Sequence, residues 1–277
     1  MSRIIVFLIA LSLIILIACE ESKPGDSNNV INPPVDSLAL IREALHLPES
    51  CLCHPNHLNE WKTSMHAYAF VDPIFFKLND IALQRSNNGL DQFCIKCHSP
   101  FATLLGEAPP GFDPANLTPL AQRGIQCDVC HRIKDFERGR GVASFHLENV
   151  KRGPIADPAP NDFHQSEFDA RYTQSFICTP CHDVLSPSGM RVEETSTEWD
   201  NSPYVAMGVE CQNCHMPTYS GQAAEGGPFR NKLHRHYFVG VDIPLVPFPG
   251  RDNTIQMVDN LLKNTLTMTV DAPAQIS

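Results

Sequence analysis

No block of basic residues occurs anywhere in this 277-residue chain, whose formal net charge is −10. That lack excludes the electrostatic footprint of a nucleic-acid-binding protein, and of one held to anionic lipid by charge alone. Cysteines without a near neighbour are also missing: apart from Cys19, all of them occur in close couples. Long uninterrupted elements are not expected, because 23 prolines are scattered through the chain, each removing a backbone donor and limiting helix or strand length. What is present is an ordinary apolar fraction, 43%, sufficient for one large domain or two small ones with a buried core. The outlying count is cysteine, at 11.

Arg3 precedes "IIVFLIALSLIILIA", an apolar run short for a membrane span but suited to a signal-peptide core. Residues 1–18 are therefore read as a lipoprotein-type signal peptide. Leu16-Ile17-Ala18-Cys19 resembles the lipobox of bacterial lipoproteins, in which cleavage leaves the cysteine, here Cys19, as a lipid-bearing N-terminus; an ordinary signal or an uncleaved anchor is the alternative. Glu20 is not the aspartate associated with inner-membrane retention, so the expected place is the outer membrane or the periplasm-facing surface, with the cell surface also open. Residues 19–37 are polar and rich in Pro, Asn and Ser, and read as a lipidated flexible tether. Regular structure is expected from "DSLALIREALHL", with Asp36 or Ser37 as cap and Leu38, Ile41 and Leu45 along one helix face.

The remaining cysteines form the couples Cys51/Cys53, Cys94/Cys97, Cys127/Cys130, Cys178/Cys181 and Cys211/Cys214. A histidine follows each second cysteine: His54, His98, His131, His182 and His215. Zinc or CxxC disulfides would use the cysteines but leave those histidines unexplained. CxxCH is the attachment signature of c-type haem: two thiols add to the vinyl groups and the next imidazole becomes the proximal iron ligand. The four complete motifs give four haem c groups. The first, "ESCLCHP", is CxCH, with Ser50 where the first cysteine would stand. It is read as a fifth haem held through Cys53 or both thiols, against a haem-less or redox-active Cys51/Cys53 pair.

His98 to His131 and His182 to His215 are both 33 residues, and the two intervals are offset by 84. "RGIQCDVCH" and "MGVECQNCH" share Gly, a β-branched residue, one variable position and the motif. This self-similarity gives two repeated two-haem modules, about 94–131 and 178–215, within one cytochrome domain spanning 38–250. The expected fold is mainly α and loop-rich, with short helices packed around stacked haems. One such helix is placed on "NHLNEWKTSMHAYAF", with Trp61, Met65 and Tyr68 or Ala69 at helical spacing. Residues 251–277 form a C-terminal tail, in which "TLTMTVDAP" alternates like a short strand opening a β-module.

A second axial histidine closes an iron for electron transfer, whereas an open position binds small molecules. Seven histidines remain outside the motifs: His46, His57, His66, His146, His164, His234 and His236. His66, on the expected helix, is the first distal candidate. His236 comes next, flanked by Tyr237 and Phe238; His234 is read as facing the opposite side and serving another iron. His146 and His164 follow as candidates in loop-like sequence, His57 is placed on the flank of the proximal His54, and His46 is a weak alternative. For each, a plain surface histidine is the competing reading.

"EWKTSMHAYAFVDPIF" after a CH-P site, "CHDVLSPSG" with "EETSTEW", and "GVECQNCHMP" resemble the multihaem cytochromes c related to the cytochrome c554 group, over most of residues 50–240. The resemblance implies bis-histidine haems in stacked pairs, electron transfer in the bacterial envelope or outside it, and distal roles for His66 and His236. Redox partners are expected to be basic proteins or other multihaem cytochromes, in keeping with the acidic balance. The rival reading is a reductase of a nitrogen or sulfur oxyanion at one open haem, against which no CxxCK motif occurs.

Overall fold

Proline sets where many helices begin. It occupies the first or second position of the helices Pro55–Lys62, Pro73–Arg85, Pro100–Leu104 and Pro203–Ala206, where its missing N–H would have been unpaired anyway. Side-chain caps complete these starts: Asp72 accepts from the Ile74 amide at 3.0 Å and Ser99 from the Ala102 amide at 3.3 Å. The structure, a computed structural model, describes residues 35–265 together with 267, 269 and 271. The signal peptide, Cys19 and most of the tether lie outside them.

The described chain is rich in short helices and loops. The first helix is Val35–Ala44; Asp36 and Ser37 fall inside it rather than ahead of it as caps, while Ile41 and Leu45 are buried as expected. The single helix expected over "NHLNEWKTSMHAYAF" is two, Pro55–Lys62 and Met65–Tyr68. Ser64 separates them in extended geometry, donating to the Trp61 carbonyl at 2.7 Å and accepting from the Ala67 amide at 3.3 Å. The local hydrogen bonds of serine compete with helix continuation, and here they win.

Four two-stranded sheets interrupt the helices, where the sequence pointed to strand only at the C-terminus. Ile133–Phe136 pairs with Val142–Phe145, Val184–Leu185 with Arg191–Glu193, and Thr218–Gln222 with Phe229–His234, all antiparallel; Val150–Gly153 pairs with Gln165–Phe168 in parallel. The tail differs too: Arg251–Thr265 is a helix burying Thr254 and Val258. Residues 267, 269 and 271 belong to no regular element, and the rest of the alternating segment lies outside the described residues.

Two hydrophobic clusters form the core, one around Ile41, Leu45, Phe101, Leu105, Val129 and Phe145, the other around Phe70, Phe75, Ile95, Ala102 and Leu117. The buried residues of both come before residue 151. From residue 151 onward the buried hydrophobics among the described residues are Val184, Leu233 and Val258, while Phe163, Phe176, Met190, Met207 and Phe229 are each at least 49% exposed. Protein side chains alone thus supply little core to the second half.

Candidate haem-attachment sites

We number the sites along the chain: I (Cys51, Cys53, His54), II (Cys94, Cys97, His98), III (Cys127, Cys130, His131), IV (Cys178, Cys181, His182) and V (Cys211, Cys214, His215). Sites III and V each fold as one helical turn, Cys127–His131 and Cys211–His215. In sites II and IV the histidine amide closes a similar turn on the first cysteine's carbonyl, at 3.3 Å to Cys94 and 3.1 Å to Cys178. Site I is one residue shorter and closes one residue sooner, with the His54 amide donating to the Cys51 carbonyl at 2.9 Å. The tighter i→i+3 turn absorbs the deletion.

All ten of these cysteines are free thiols, and they meet across sites. The thiols of Cys51 and Cys127 are hydrogen-bonded, as are those of Cys178 and Cys211 and those of Cys97 and Cys181. Sharing a proton in this way lowers Cys51 to about 7 and Cys211 to about 6. Cys130 also acts electrostatically on Cys178 and Cys181. The anchors therefore adjoin in the order I, III, IV, with II and V both against IV.

Four of the five motif histidines are oriented by backbone carbonyls. Nδ1 donates to Ala223 from His54 at 2.8 Å, to Ala69 from His98 at 2.9 Å, to Arg152 from His131 at 2.6 Å, and to Val239 from His215 at 2.5 Å. A carbonyl only accepts, so Nδ1 carries the proton and Nε2 keeps a free lone pair, the arrangement a metal-ligating histidine needs. His164, His234 and His236 have the same form, donating to Gln165 at 3.0 Å, Met216 at 2.7 Å and His234 at 3.0 Å.

Two imidazoles on one metal, each about 2.0–2.1 Å from it, would place their ring centroids roughly 6 Å apart. Three pairs have that span: His54 and His164 at 6.2 Å, His66 and His182 at 6.2 Å, His131 and His236 at 6.3 Å. His57 also lies 6.3 Å from His54, but its Nε2 takes the Tyr219 hydroxyl at 2.8 Å. Burial lowers His66 to about 3 and holds His131, His182 and His236 below the ordinary histidine value as well, favouring the neutral form that binds metal.

The other candidates are placed differently. His146 pairs through Nδ1 with Glu148 at 2.8 Å, and His46 offers its backbone amide to Asp128 at 2.9 Å. Neither ring stands against a motif histidine among the described residues. The strand ends at His234, and His236 lies beyond it; residues two apart in a strand share a face, so extension gives no ground for the opposite-side placement read from the sequence. No second imidazole is in ring contact with His98 or His215 among the described residues; the Phe75 ring lies flat on His98, centroids 3.8 Å apart at 12°.

The structure adds residues that sequence reasoning missed. Glu60, 3% exposed, pairs with Arg235 at 2.6 Å and accepts the His236 amide at 2.7 Å, so it fixes the segment carrying that histidine. Its signal was available as a second repeat: "EWKTS" at 60–64 returns as "EWDNS" at 198–202. Trp61 donates to the Ile125 carbonyl at 2.7 Å and Trp199 to the Val209 carbonyl at 2.9 Å, each just after the shared glycine of its motif.

Residues 50–132 match the family of cytochrome c554 and c-prime. Over that segment, which carries sites I to III, the chain is similar to the cytochrome c554 group. Haem c is the cofactor that its CxxCH motifs fit. The chain is also similar to a penta-heme cytochrome c552 from Thermochromatium tepidum, at 23% identity and a TM-score of 0.47 over 68% of this chain. It spans 55% of the length of that protein. No curated protein matches the chain.

Proposed function

We propose that the cytochrome holds five haem c groups, one at each of sites I to V, in the bacterial envelope or at the cell surface. His54, His98, His131, His182 and His215 are the proximal ligands, with His164, His236 and His66 distal at sites I, III and IV. The observation that carries the reading is the 6.2–6.3 Å separation of those three ring pairs. Bound haem c supplies one-electron oxidation and reduction. The chain's own residues fix the tautomers of His54, His98, His131, His215, His164 and His236 through carbonyls, keep His66, His131, His182 and His236 neutral by burial, and bring anchors of different sites into thiol contact.

Cys51 reaches Cys127 as Cys178 reaches Cys211, which supports a site I anchored through both thiols. The same contacts group the duplication as I with III and IV with V, site II lying on the segment between the "EWKTS" repeat and site III. Export with lipid attachment at Cys19 follows from the leader, and the net charge of −10 suits basic redox partners. Reduction of a nitrogen or sulfur oxyanion is the second reading, favoured by the lack of a second imidazole against His98 and His215 among the described residues.

Electron paramagnetic resonance of the oxidised, haem-loaded protein tests the ligand assignments. His66→Met, His164→Met and His236→Met should each remove one low-spin bis-histidine signal and leave the others. Spectra unchanged in all three variants would refute the pairing. High-spin intensity in the unaltered protein would favour the second reading, and its absence would remove it.

A further inference from the structure

Asp128 sits between the two anchor cysteines of site III, with its side chain 1% exposed. Arg132, directly after His131, is 0% exposed, and its Nε lies 3.0 Å from Asp128 Oδ2 without hydrogen-bond alignment. Lys151, 16% exposed, pairs with the other carboxylate oxygen. The remaining guanidinium nitrogens of Arg132 are held by the Leu147 and Glu148 carbonyls and by Asn149, at 3.0–3.3 Å. Two cations thus share one carboxylate, leaving a surplus positive charge inside the protein. Glu148 and Glu167 share the single guanidinium of Arg152, and because both are about half exposed, solvent screens their surplus negative charge far more than the buried positive one.

Burying such a group is expensive, and apolar residues of similar volume often serve stability as well or better. Site V provides an internal comparison. Gln212 stands where Asp128 does, and Met216 where Arg132 does; the buried Gln212 is held by the Tyr172 and Gln174 carbonyls at 3.2 and 2.8 Å. The same turn therefore folds without the charges. Lys151 lies on the strand Val150–Gly153, paired with Gln165–Phe168 directly after His164, while Asp128 and Arg132 adjoin the anchors and histidine of site III, which puts the cluster between sites I and III.

We propose that Asp128, Arg132 and Lys151 form a buried net-positive cluster that raises the reduction potentials of sites I and III above that of site V. The inference rests on the five-haem reading. Reduction adds an electron, an unbalanced positive charge nearby favours the reduced state, and burial limits screening by salt. Electrons entering the protein accordingly settle toward sites I and III.

The test is a spectroelectrochemical titration of full-length, haem-loaded protein at fixed pH. Lys151→Gln should lower two midpoints and leave the others, whereas Lys151→Arg should leave all of them in place. Asp128→Asn should raise the same two, an opposite sign that general loosening of the fold would not produce. The two that move should be those whose resonance signals change in His164→Met and His236→Met. Haem-loaded Lys151→Gln with unmoved midpoints, or with all midpoints shifted alike, overturns this proposal and leaves the haem reading standing. Absence of haem from the unaltered protein overturns both.

Discussion

At the residue scale the sharpest constraint is glycine beside a proposed ligand. Gly124 has a φ of +63°, and a Cβ there would lie 2.7 Å from the carbonyl oxygen of His66. Gly208, its counterpart before site V, has a φ of +66° with open space around it. Gly124→Ala should cost about 1–3 kcal/mol in thermal unfolding and alter the signal of the site served by His66, while Gly208→Ala should cost about 1–2 kcal/mol and leave that signal alone. Equal effects on spectrum and stability would refute the argument. The histidines proposed as proximal could be named from the sequence because attachment chemistry fixes their distance from two cysteines. Distal histidines carry no such spacing. His66 and His236 could be named through a family resemblance, and His164 by counting, but nothing in the sequence separated His164 from His146. Tyr219, which ties up Nε2 of His57, lies 162 residues away in sequence, beyond any local pattern.

At the scale of elements, two short segments do the same work. Ser64 and Ser202 each donate to the carbonyl of the tryptophan three residues earlier, both at 2.7 Å, and each caps the next helix. Ser64→Ala should destabilise by about 0.5–2 kcal/mol, and Ser202→Ala by a similar amount, in denaturant unfolding of the haem-loaded protein; no change in either midpoint would argue against the capping role. The sequence showed the apolar spacing of residues 56–70 but not the break, because serine at helical spacing reads the same whether its hydroxyl caps or faces solvent. Site I belongs at this scale too. Its i→i+3 closure keeps Cys51 against Cys127, so Cys51→Ala and Cys53→Ala should each retain haem through one thioether and shift the pyridine-haemochrome α-band. A Cys51→Ala spectrum identical to that of the parent would mean that Cys53 alone makes the attachment.

Across the whole molecule, buried apolar side chains are concentrated before residue 151. On the five-haem reading, a chain with so little conventional core in its second half uses bound macrocycles to cover its apolar surface. Hydrogen exchange on protein produced without haem attachment should therefore show amides of 151–250 losing protection ahead of those around Phe101 and Ile95; uniform loss would contradict that division. This uneven core explains why composition revealed an ordinary apolar fraction but not the fold. The four two-stranded sheets were hidden for a related reason: strands of two to six residues are too short for alternation to stand out. The C-terminal helix Arg251–Thr265 does carry Ile255, Val258 and Leu262 at helical spacing, but the strand-like alternation directly after it competes with that signal.

The account turns on the number of haems, and the intact mass of the mature exported protein after removal of non-covalent cofactor measures it directly. Five covalently bound haems per chain are predicted, the fifth at the shortened CxCH site. A mass corresponding to four would contradict the reading of site I, and a haem-free chain would contradict the account as a whole.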